Sequence, residues 1–301
     1  MKWTCVLMVV YLYVLRSNTV ESIPIDTDID IDMMKAYYHE WASLVPARLV
    51  TNHKVNLLMD PENAPERAAN IANTFAKAAY AWSREFLNDQ ECRERILAYS
   101  ERLGEYFDNE TVGMFKSDIC RLIQLKDDGG LYVDTDLVLI VDLQEIIPEG
   151  VSFVSTISLT WRGPHDPNEM FQALLGVTPN HPLITRSLEK VLEFYDGTNT
   201  TLRGLLGGEM RGAQLMRIVY EEFSGGRYME PGRNTLADGS VAYFFEEHKL
   251  KDGGDPEYPS VLSQGGRGNN CDILVVDAER KMAIAYSHVA GKTSECHRSQ
   301  F

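Results

Sequence analysis

Two groups of polar residues stand near the middle of this 301-residue chain. The first is Ser117 and Asp118 with Arg121, and the second is Asp134 with Asp136. The apolar spacing around Asp118 predicts a helix, which places Asp118 and Arg121 on one face. The two later acids follow a short apolar stretch, and alternate residues of an extended chain point the same way. We therefore expect both carboxylates to converge on one hard cation or one polar ligand.

A strand that ends in two carboxylates suits Mg²⁺ or Mn²⁺. Hard cations bind carboxylate oxygens and keep water and substrate phosphates as further ligands. In open α/β sheets, ligands lie beyond the carboxyl ends of the strands. The pattern predicts a metal-diphosphate site at Asp134 and Asp136, where the cation offsets charge on a leaving diphosphate. Gly129 and Gly130 suit a tight turn from helix to strand and the close approach of a ligand.

An Asp-x-Asp sequence alone is more often an acidic surface turn, and Asp118 with Arg121 alone is an ordinary ion pair within a helix. The helix, the Gly-Gly turn and the apolar strand together favour the site, because they bring all four polar groups to one end of the sheet. A second Asp-Thr-Asp, from Asp26 to Asp28, lacks these neighbours and indicates a solvated stem.

Predicted helices and strands alternate along the chain, which indicates an α/β fold. Leu137–Val141 is wholly apolar, as expected of a strand that is covered on both faces. The other predicted strands are Ala47–Leu58, Arg84–Leu87, Val151–Ile157, Phe171–Val177 (or a short helix), Ile273–Val276 and Met282–Tyr286. The predicted helices are Pro65–Phe86, Asp89–Leu103, one that carries Asp118 and is capped by Asp108 or Asn109, Leu183–Tyr195, and one within Leu205–Phe223.

The composition limits the partners of the chain. Hydrophobic residues make up 44% of the sequence and charged residues 24%, so most of it is expected to fold. The net charge of −15 argues against nucleic acid, since binding to a phosphate backbone depends on clustered Lys and Arg. A nucleotide held through a divalent cation is compatible with this charge, because the cation reverses the local sign.

The first residues have the pattern of a secretory leader, in which Lys2 precedes an apolar run from Cys5 to Leu15. That run is shorter than the ~20 apolar residues that span a bilayer, and it suits a signal-peptide core. A short signal anchor is the alternative. We therefore divide the chain into a signal peptide or anchor at 1–22, an acidic stem at 23–45 and a single domain at 46–301.

Entry into the secretory pathway would give meaning to the cysteines and to two sequons, Asn109-Glu-Thr and Asn199-Thr-Thr. Outside the leader the even number of cysteines permits two disulfides in three connectivities, with four buried thiols as the alternative. These cysteines are Cys92, Cys120, Cys271 and Cys296.

The central motif resembles a known family. Ser-Asp-x-x-Arg, a later Leu and Gly-Gly-x-Tyr-x-Asp-x-Asp, as they stand from Ser117 to Asp136, look like the sugar-binding region of DXD-motif glycosyltransferases. The most similar class is the family-32-like one of Golgi initiating α-1,6-mannosyltransferase, α-1,4-galactosyltransferase and the clostridial glucosylating toxins. The strong match covers about Phe115 to Leu143, and weaker similarity extends over Met170 to Tyr195.

This resemblance implies a GT-A fold, with a Rossmann-like central sheet flanked by helices. It also implies a UDP- or GDP-sugar donor, Mn²⁺ or Mg²⁺ as cofactor, and retention at the anomeric carbon. The acceptor would be a hydroxyl of a glycan, a glycolipid or a glycoprotein. Together with the leader, it implies the secretory pathway, either in the Golgi lumen or secreted, with a membrane anchor at the N-terminus as one alternative.

By position, the resemblance assigns roles within the motif. Asp118 and Arg121 would hold hydroxyls of the donor sugar. Asp134 would contact the ribose or the sugar and reach the metal through water, while Asp136 would bind the metal directly. These two acids are the expected catalytic pair. Tyr132 would pack beneath the donor, or it is a core tyrosine.

The family often supplies one more metal ligand near the C-terminus, in a His followed by Ser-Trp. His288 is the candidate here, with His297 as a substitute; the Trp is absent, and a structural histidine is the alternative. Lys292 would neutralise the leaving diphosphate, and Gly130 would lie beside the donor sugar. Four further residues mark loops on the donor or acceptor side: Asn168, Gln172, Gly207 and Gly208.

Three functions are open. The first is glycosyl transfer by front-face attack of the acceptor, since no enzymatic nucleophile stands out. The second is binding of a nucleotide sugar or glycan without turnover, because the family's usual first-strand signature is missing at Ala47–His53. The third is a secreted Ca²⁺-binding protein that uses the acids of Asp26–Asp32.

Overall fold

Ten strands and eight α-helices make up the described part of the computed structural model, which comprises residues 43–78, 82–158, 169–249 and 272–288. The strands are β1 Arg48–Asn52, β2 Ser83–Leu87, β3 Gly130–Val133, β4 Leu137–Leu139, β5 Phe153–Ile157, β6 Met170–Val177, β7 Gly232–Thr235, β8 Val241–Lys249, β9 Asp272–Asp277 and β10 Met282–His288. The helices are α1 Pro65–Lys77, α2 Asp89–Tyr99, α3 Glu101–Asn109, α4 Gly113–Lys126, α5 Leu143–Ile146, α6 Pro182–Tyr195, α7 Thr200–Leu205 and α8 Gly212–Ser224.

All ten strands belong to one mixed sheet, in the order β2-β1-β3-β6-β5-β8-β9-β10-β4, with β7 paired to β8. Strands β2, β1 and β3 are parallel, whereas β6 runs antiparallel to β3. The carboxyl ends of β1 and β3 and the amino end of β6 therefore meet at one edge, which we call the site edge. In α/β sheets this is the edge at which ligands bind.

Alternation along β3 divides the core between the two faces of the sheet. Tyr132 belongs to a large apolar cluster that includes residues of α2, α3, α4, α6 and α8. Its neighbours Leu131 and Val133 belong to a second cluster with β4, α5 and β10. All residues of β3 and β5 are buried, as expected of strands that are covered on both faces.

The predicted α/β class, a central sheet flanked by helices, is confirmed. Phe171–Val177 belongs to a strand, β6, and the predicted C-terminal hairpin is formed by β9 and β10. Strand β4 is shorter than predicted and lies at the end of the sheet order, where it pairs with β10. The sequence analysis overlooked β7 and β8.

Three helix boundaries differ from the prediction. The predicted helix Asp89–Leu103 is divided at Ser100, whose extended backbone ends α2 while its hydroxyl caps α3. Helix α4 begins at Gly113 after Val112, rather than behind Asp108 or Asn109, which belong to α3. The predicted helix Pro65–Phe86 ends at Lys77, and Ser83 already starts β2.

The structure settles one of the open cysteine alternatives, because Cys92 on α2 and Cys120 on α4 form a disulfide. Cys271 and Cys296 lie outside the described residues, as do the leader, most of the stem and residues 251–270. The proposed domain division stays a prediction. No helix within the described ranges is long and apolar enough to cross a membrane.

Candidate active site

Helix α4 carries a buried ion pair at the site edge. The Nη2 atom of Arg121 lies 3.3 Å from Oδ1 of Asp118 and 3.8 Å from Oδ2 of Asp134. The guanidinium also donates to the hydroxyl of Ser117 at 2.9 Å and stacks over the ring of Tyr132, 4.6 Å from its centroid. Both members of the Asp118–Arg121 pair are buried, so their orientation is fixed by packing.

Asp134 and Asp136 lie in a turn between β3 and β4, not along an extended strand as we expected. The amide of Leu137 donates to the carbonyl of Asp134 at 3.2 Å, which closes the turn. The hydroxyl of Tyr132 donates to Asp134 Oδ1 at 3.1 Å, and the amide of Thr135 donates to the same oxygen at 3.2 Å. One oxygen of Asp134 is thus held by the protein, while the other faces Arg121.

A polar chain links α4 to the end of β1. The hydroxyl of Ser117 donates to Asn52 Oδ1 at 2.7 Å, and Asn52 in turn donates to Gln124 Oε1 at 3.0 Å. Gln124 donates to the carbonyl of Thr51 at 3.1 Å. This buried network fixes the register of α4 on the sheet and thereby the position of Arg121.

Helix α1 also contacts the turn that carries Asp134 and Asp136, which we call the acidic turn. Arg67 donates from Nη2 to Asp136 Oδ2 and from Nη1 to Thr135 Oγ1, both at 3.1 Å. Asn70 donates to the carbonyls of Thr135 and Leu137 at 2.9 and 2.8 Å. The side chain of Asp136 keeps 45% of its surface exposed, so it is open to a ligand from solvent.

The electrostatic environment disfavours negative charge at two of these acids. Burial raises the pKa of Asp118 to about 6, although Arg121 opposes the shift. Burial and the neighbouring charge of Asp134 also raise the pKa of Asp136, against Arg67. A site that destabilises its own carboxylates gains from a bound cation or from hydrogen-bond donors on a ligand.

Gln172 on β6 adds an unpaired polar group next to Asp118. Its amide oxygen and nitrogen are both buried and have no hydrogen-bond partner among the described residues. A Cβ atom at Gly212, the first residue of α8, would lie 2.4 Å from Asp118 Oδ2 and 2.8 Å from Gln172 Oε1. The glycine therefore lets the amino end of α8 lie against Asp118, to which its N–H donates.

The two acids of the turn suit a hard divalent cation. Mg²⁺ and Mn²⁺ are commonly held by one or two carboxylates, with phosphate oxygens and water as the other ligands. Within the described ranges no ready-made cluster of three His, Cys, Asp or Glu side chains exists, so a cation here would need substrate oxygens. Ser287 of β10 pairs with Leu137, which places the backbone of His288, the last residue of β10, near the acidic turn.

The structure does not bring every predicted residue to this place. Gly130 starts β3, at the strand end opposite Asp134, where a Cβ atom would lie 2.6 Å from the carbonyl oxygen of Arg48. Its φ of 114° and that of 64° at Gly129 serve the helix-to-strand turn and the contact with neighbouring backbone. Asn168, Lys292 and His297 lie outside the described residues.

Sequence reasoning missed the contribution of α1. Arg67 and Asn70 contact the acidic turn, and Thr74 is buried on the same side of the helix. Their spacing of three and four residues is a signal that was available, because polar residues at helical spacing on an Ala-rich helix mark a face with polar partners.

Comparison with known proteins agrees with the motif. Residues 65–153 match the sequence model of the family "Glycosyltransferase sugar-binding region containing DXD motif". No curated protein matches the chain. Two solved structures are similar at low identity. For "PaToxG Glycosyltransferase" the identity is 13% and the TM-score 0.42, and the match covers 64% of this chain and 78% of that chain. For the "UDP-bound glycosyltransferase domain from the YGT toxin" the identity is 14% and the TM-score 0.27, and the match covers 57% of this chain and 45% of that chain. These likenesses are too distant to bear on the fold. By its motif and by this match, residues 65–153 of the chain resemble the sugar-binding region of DXD-motif glycosyltransferases.

Proposed function

We propose that this glycosyltransferase moves a sugar from a UDP- or GDP-sugar to a hydroxyl of a glycan, lipid or protein, with Mn²⁺ or Mg²⁺ at Asp134 and Asp136. The observation that carries the proposal is the meeting of a buried Asp118–Arg121 pair and an exposed acidic turn at one sheet edge. The first suits the neutral, hydroxyl-rich sugar, and the second suits a cation with its diphosphate.

Asp136 is the expected direct ligand, because its carboxylate is half-exposed, whereas Asp134 is oriented by Tyr132 and Thr135. When bound, the cation stabilises negative charge on the departing nucleoside diphosphate. The backbone position of His288 near the turn is compatible with a third protein ligand, which stays a prediction.

Asp118 and Arg121 supply complementary groups to sugar hydroxyls. The carboxylate accepts hydrogen bonds, and the guanidinium, which is always charged, only donates them. Their burial and the network through Ser117 and Asn52 fix both groups before the donor arrives, which reduces the entropy cost of binding. Burial makes ionisation of Asp118 less favourable than that of an exposed carboxyl, so hydroxyl donors of a sugar would favour its charged form.

We propose retention at the anomeric carbon, on the basis of the family resemblance. The bond from that carbon to the diphosphate oxygen breaks and its electron pair stays on the diphosphate, the acceptor oxygen bonds to the same face, and the proton of the acceptor hydroxyl passes to an oxygen of the leaving diphosphate. Asp134 and Asp136 share one short turn and therefore cannot stand on opposite sides of a glycosidic bond, as the two acids of a glycosidase do.

The secretory pathway is the proposed location, in the Golgi lumen or outside the cell, reached through the N-terminal signal peptide or anchor. The Cys92–Cys120 disulfide supports this proposal, because structural disulfides persist in oxidising compartments and are rare in the cytosol.

The proposal is tested by incubating the purified protein with Mn²⁺ and a panel of UDP- and GDP-sugars and measuring released nucleoside diphosphate. We expect release that EDTA abolishes and that Asp136→Asn reduces at least about 10²-fold. Asp128→Asn changes an exposed acid of the turn before β3, at the strand end away from Asp134, and serves as the matched control. Donor binding without turnover toward water or any acceptor would point to the binding-only alternative, and absence of donor binding would refute the proposal.

A further inference from the structure

The side chain of Arg67 forms a direct ion pair with Asp136, the expected metal ligand. Its guanidinium spans the acidic turn, with one nitrogen on Asp136 Oδ2 and the other on Thr135 Oγ1. The side chain is 44% exposed and extends from the first turn of α1, so it is anchored at its base and free to move at its tip.

The nearby arginine of α4 has a different assignment. Arg121 is buried, stacks on Tyr132, donates to Ser117 and remains 3.8 Å from Asp134. It is fixed by packing on several sides, which makes it a permanent part of the sugar subsite. Arg67, by contrast, balances the charge of Asp136 through an exposed ion pair, and such pairs exchange readily because they contribute little free energy.

A guanidinium and a divalent cation at the same carboxylate repel each other. The Asp136 oxygen that accepts from Arg67 is not free to ligate a metal, and the positive charge of Arg67 lowers the affinity for a second cation nearby. A donor diphosphate changes this balance, since its negative oxygens attract both the cation and a guanidinium, which binds phosphate with a fork of two N–H groups.

We propose that Arg67 couples cation binding to donor binding. Without donor it pairs with Asp136 and opposes the cation; with donor its guanidinium moves from Asp136 to the diphosphate, and the cation takes the vacated carboxylate. Arg67 thus acts as a positioning residue for the complex of cation and donor. The inference rests on the proposed function, because it assumes a diphosphate and a cation at the acidic turn.

The experiment is calorimetric titration of Mn²⁺ into the full chain, alone and with saturating UDP or GDP, for wild type and Arg67→Gln. We expect Arg67→Gln to bind Mn²⁺ about 2–5-fold more tightly without nucleotide and to show a correspondingly smaller gain when the nucleotide is present. Nucleotide affinity at saturating Mn²⁺ should fall in the same variant. Arg67→Lys, which keeps the charge but not the fork, should lie between the two.

Arg93→Gln is the matched control, because Arg93 forms an exposed ion pair with Asp108 of similar exposure on α2 and α3. It should leave both affinities unchanged. Equal or weaker Mn²⁺ binding by Arg67→Gln without nucleotide would overturn the inference while leaving the proposed function intact. Failure of the wild type to bind Mn²⁺ with either nucleotide would instead overturn the proposed function, and the inference with it.

Discussion

Helices α4 and α6 have the same length and share one hydrophobic core, but they place their charges in opposite ways. On α6, Arg186 lies at the surface and donates to Glu189, Glu193 and Glu222 at 2.8 to 3.1 Å. These four charges are all paired and partly exposed, and the buried Lys190 of the same helix is paired with Glu222 at 2.7 Å.

On α4, Asp118 and Arg121 are buried, and burial raises the pKa of Asp118 to about 6. Gln172 nearby has an amide without a hydrogen-bond partner within the described ranges. Buried groups that are poorly satisfied cost stability, and they are retained where they serve a ligand. The difference shows which of the two charged clusters is built for function, and it predicts opposite responses to substitution.

Removal of the disulfide that holds α4 is the first test of the comparison, and we expect it to have the largest effect on stability. Cys120 lies between Asp118 and Arg121, and its disulfide with Cys92 closes a separation of 28 residues, whereas α6 has no such link. Replacing both cysteines with serine should lower the free energy of unfolding by ~3–4 kcal/mol, mainly through the entropy of the unfolded chain. Urea unfolding measures the change. A loss below ~1 kcal/mol would contradict it.

The second test of the comparison is the pH dependence of stability that the ionisation of Asp118 causes. Because its pKa is raised from 3.8 to about 6 in the folded protein, its contribution to stability is fully present below pH 3.8 and is lost as pH rises through 6. The difference in unfolding free energy between wild type and Asp118→Asn should therefore fall by ~2 kcal/mol from pH 4 to 7 and then level off.

Taking this difference between the two proteins removes the opposite effect of His181, whose pKa burial lowers to about 4. Its stabilising contribution is present above pH 6.5 and is lost as pH falls through 4. If the difference in unfolding free energy between wild type and Asp118→Asn stays constant from pH 4 to 7, the pKa of Asp118 is not raised in the folded protein.

The same substitution, Gln to Met, at two buried glutamines tests whether the site contains polar groups that lack hydrogen-bond partners. The amide oxygen of Gln124 accepts from Asn52 and its nitrogen donates to Thr51, whereas the amide of Gln172 has no partner in the described part of the chain. Gln172→Met should stabilise the protein by ~1 kcal/mol because it removes unpaired polar atoms, and Gln124→Met should destabilise it by ~1–3 kcal/mol because it leaves partners unpaired. Thermal and urea unfolding of the two variants should differ in sign. Stability changes of the same sign in both variants would contradict the proposed difference between the two glutamines.

The surface network of α6 should respond least. Arg186→Gln breaks three contacts, but all of them lie at partly exposed positions, so the loss of unfolding free energy should be below ~1 kcal/mol and should shrink at 1 M salt. A larger, salt-independent loss would show that α6 depends on its charges as strongly as α4 does.

Much of this arrangement was predictable from the sequence, since apolar spacing indicated α4 and the apolar run before Asp134 indicated β3. What failed depended on long-range packing. The two acids were expected along an extended strand, but the chain turns there because α1 supplies Asn70 to hold the carbonyls of the turn. The polar spacing on α1 indicates a polar face, but no local pattern shows which distant groups that face contacts.

The same limit explains the residues that were missed or placed wrongly. Arg67 reaches Asp136 across 69 positions of sequence, and the role of Gly212 depends on α8 meeting α4. Gly130 was assigned to the donor because the family motif contains it, yet its missing Cβ serves the approach of Arg48 on the neighbouring strand. A motif identifies which residues recur together, whereas only the sheet order shows which of them share an edge.

The most direct test of the central claim is a crystal structure of the protein with Mn²⁺ and UDP or GDP, with anomalous scattering recorded at the manganese edge. We expect one strong anomalous peak at about 2.0–2.3 Å from a carboxylate oxygen of Asp136, with diphosphate oxygens completing the coordination. A nucleotide bound elsewhere, or a peak away from the turn with Asp134 and Asp136 directed apart, would contradict the account.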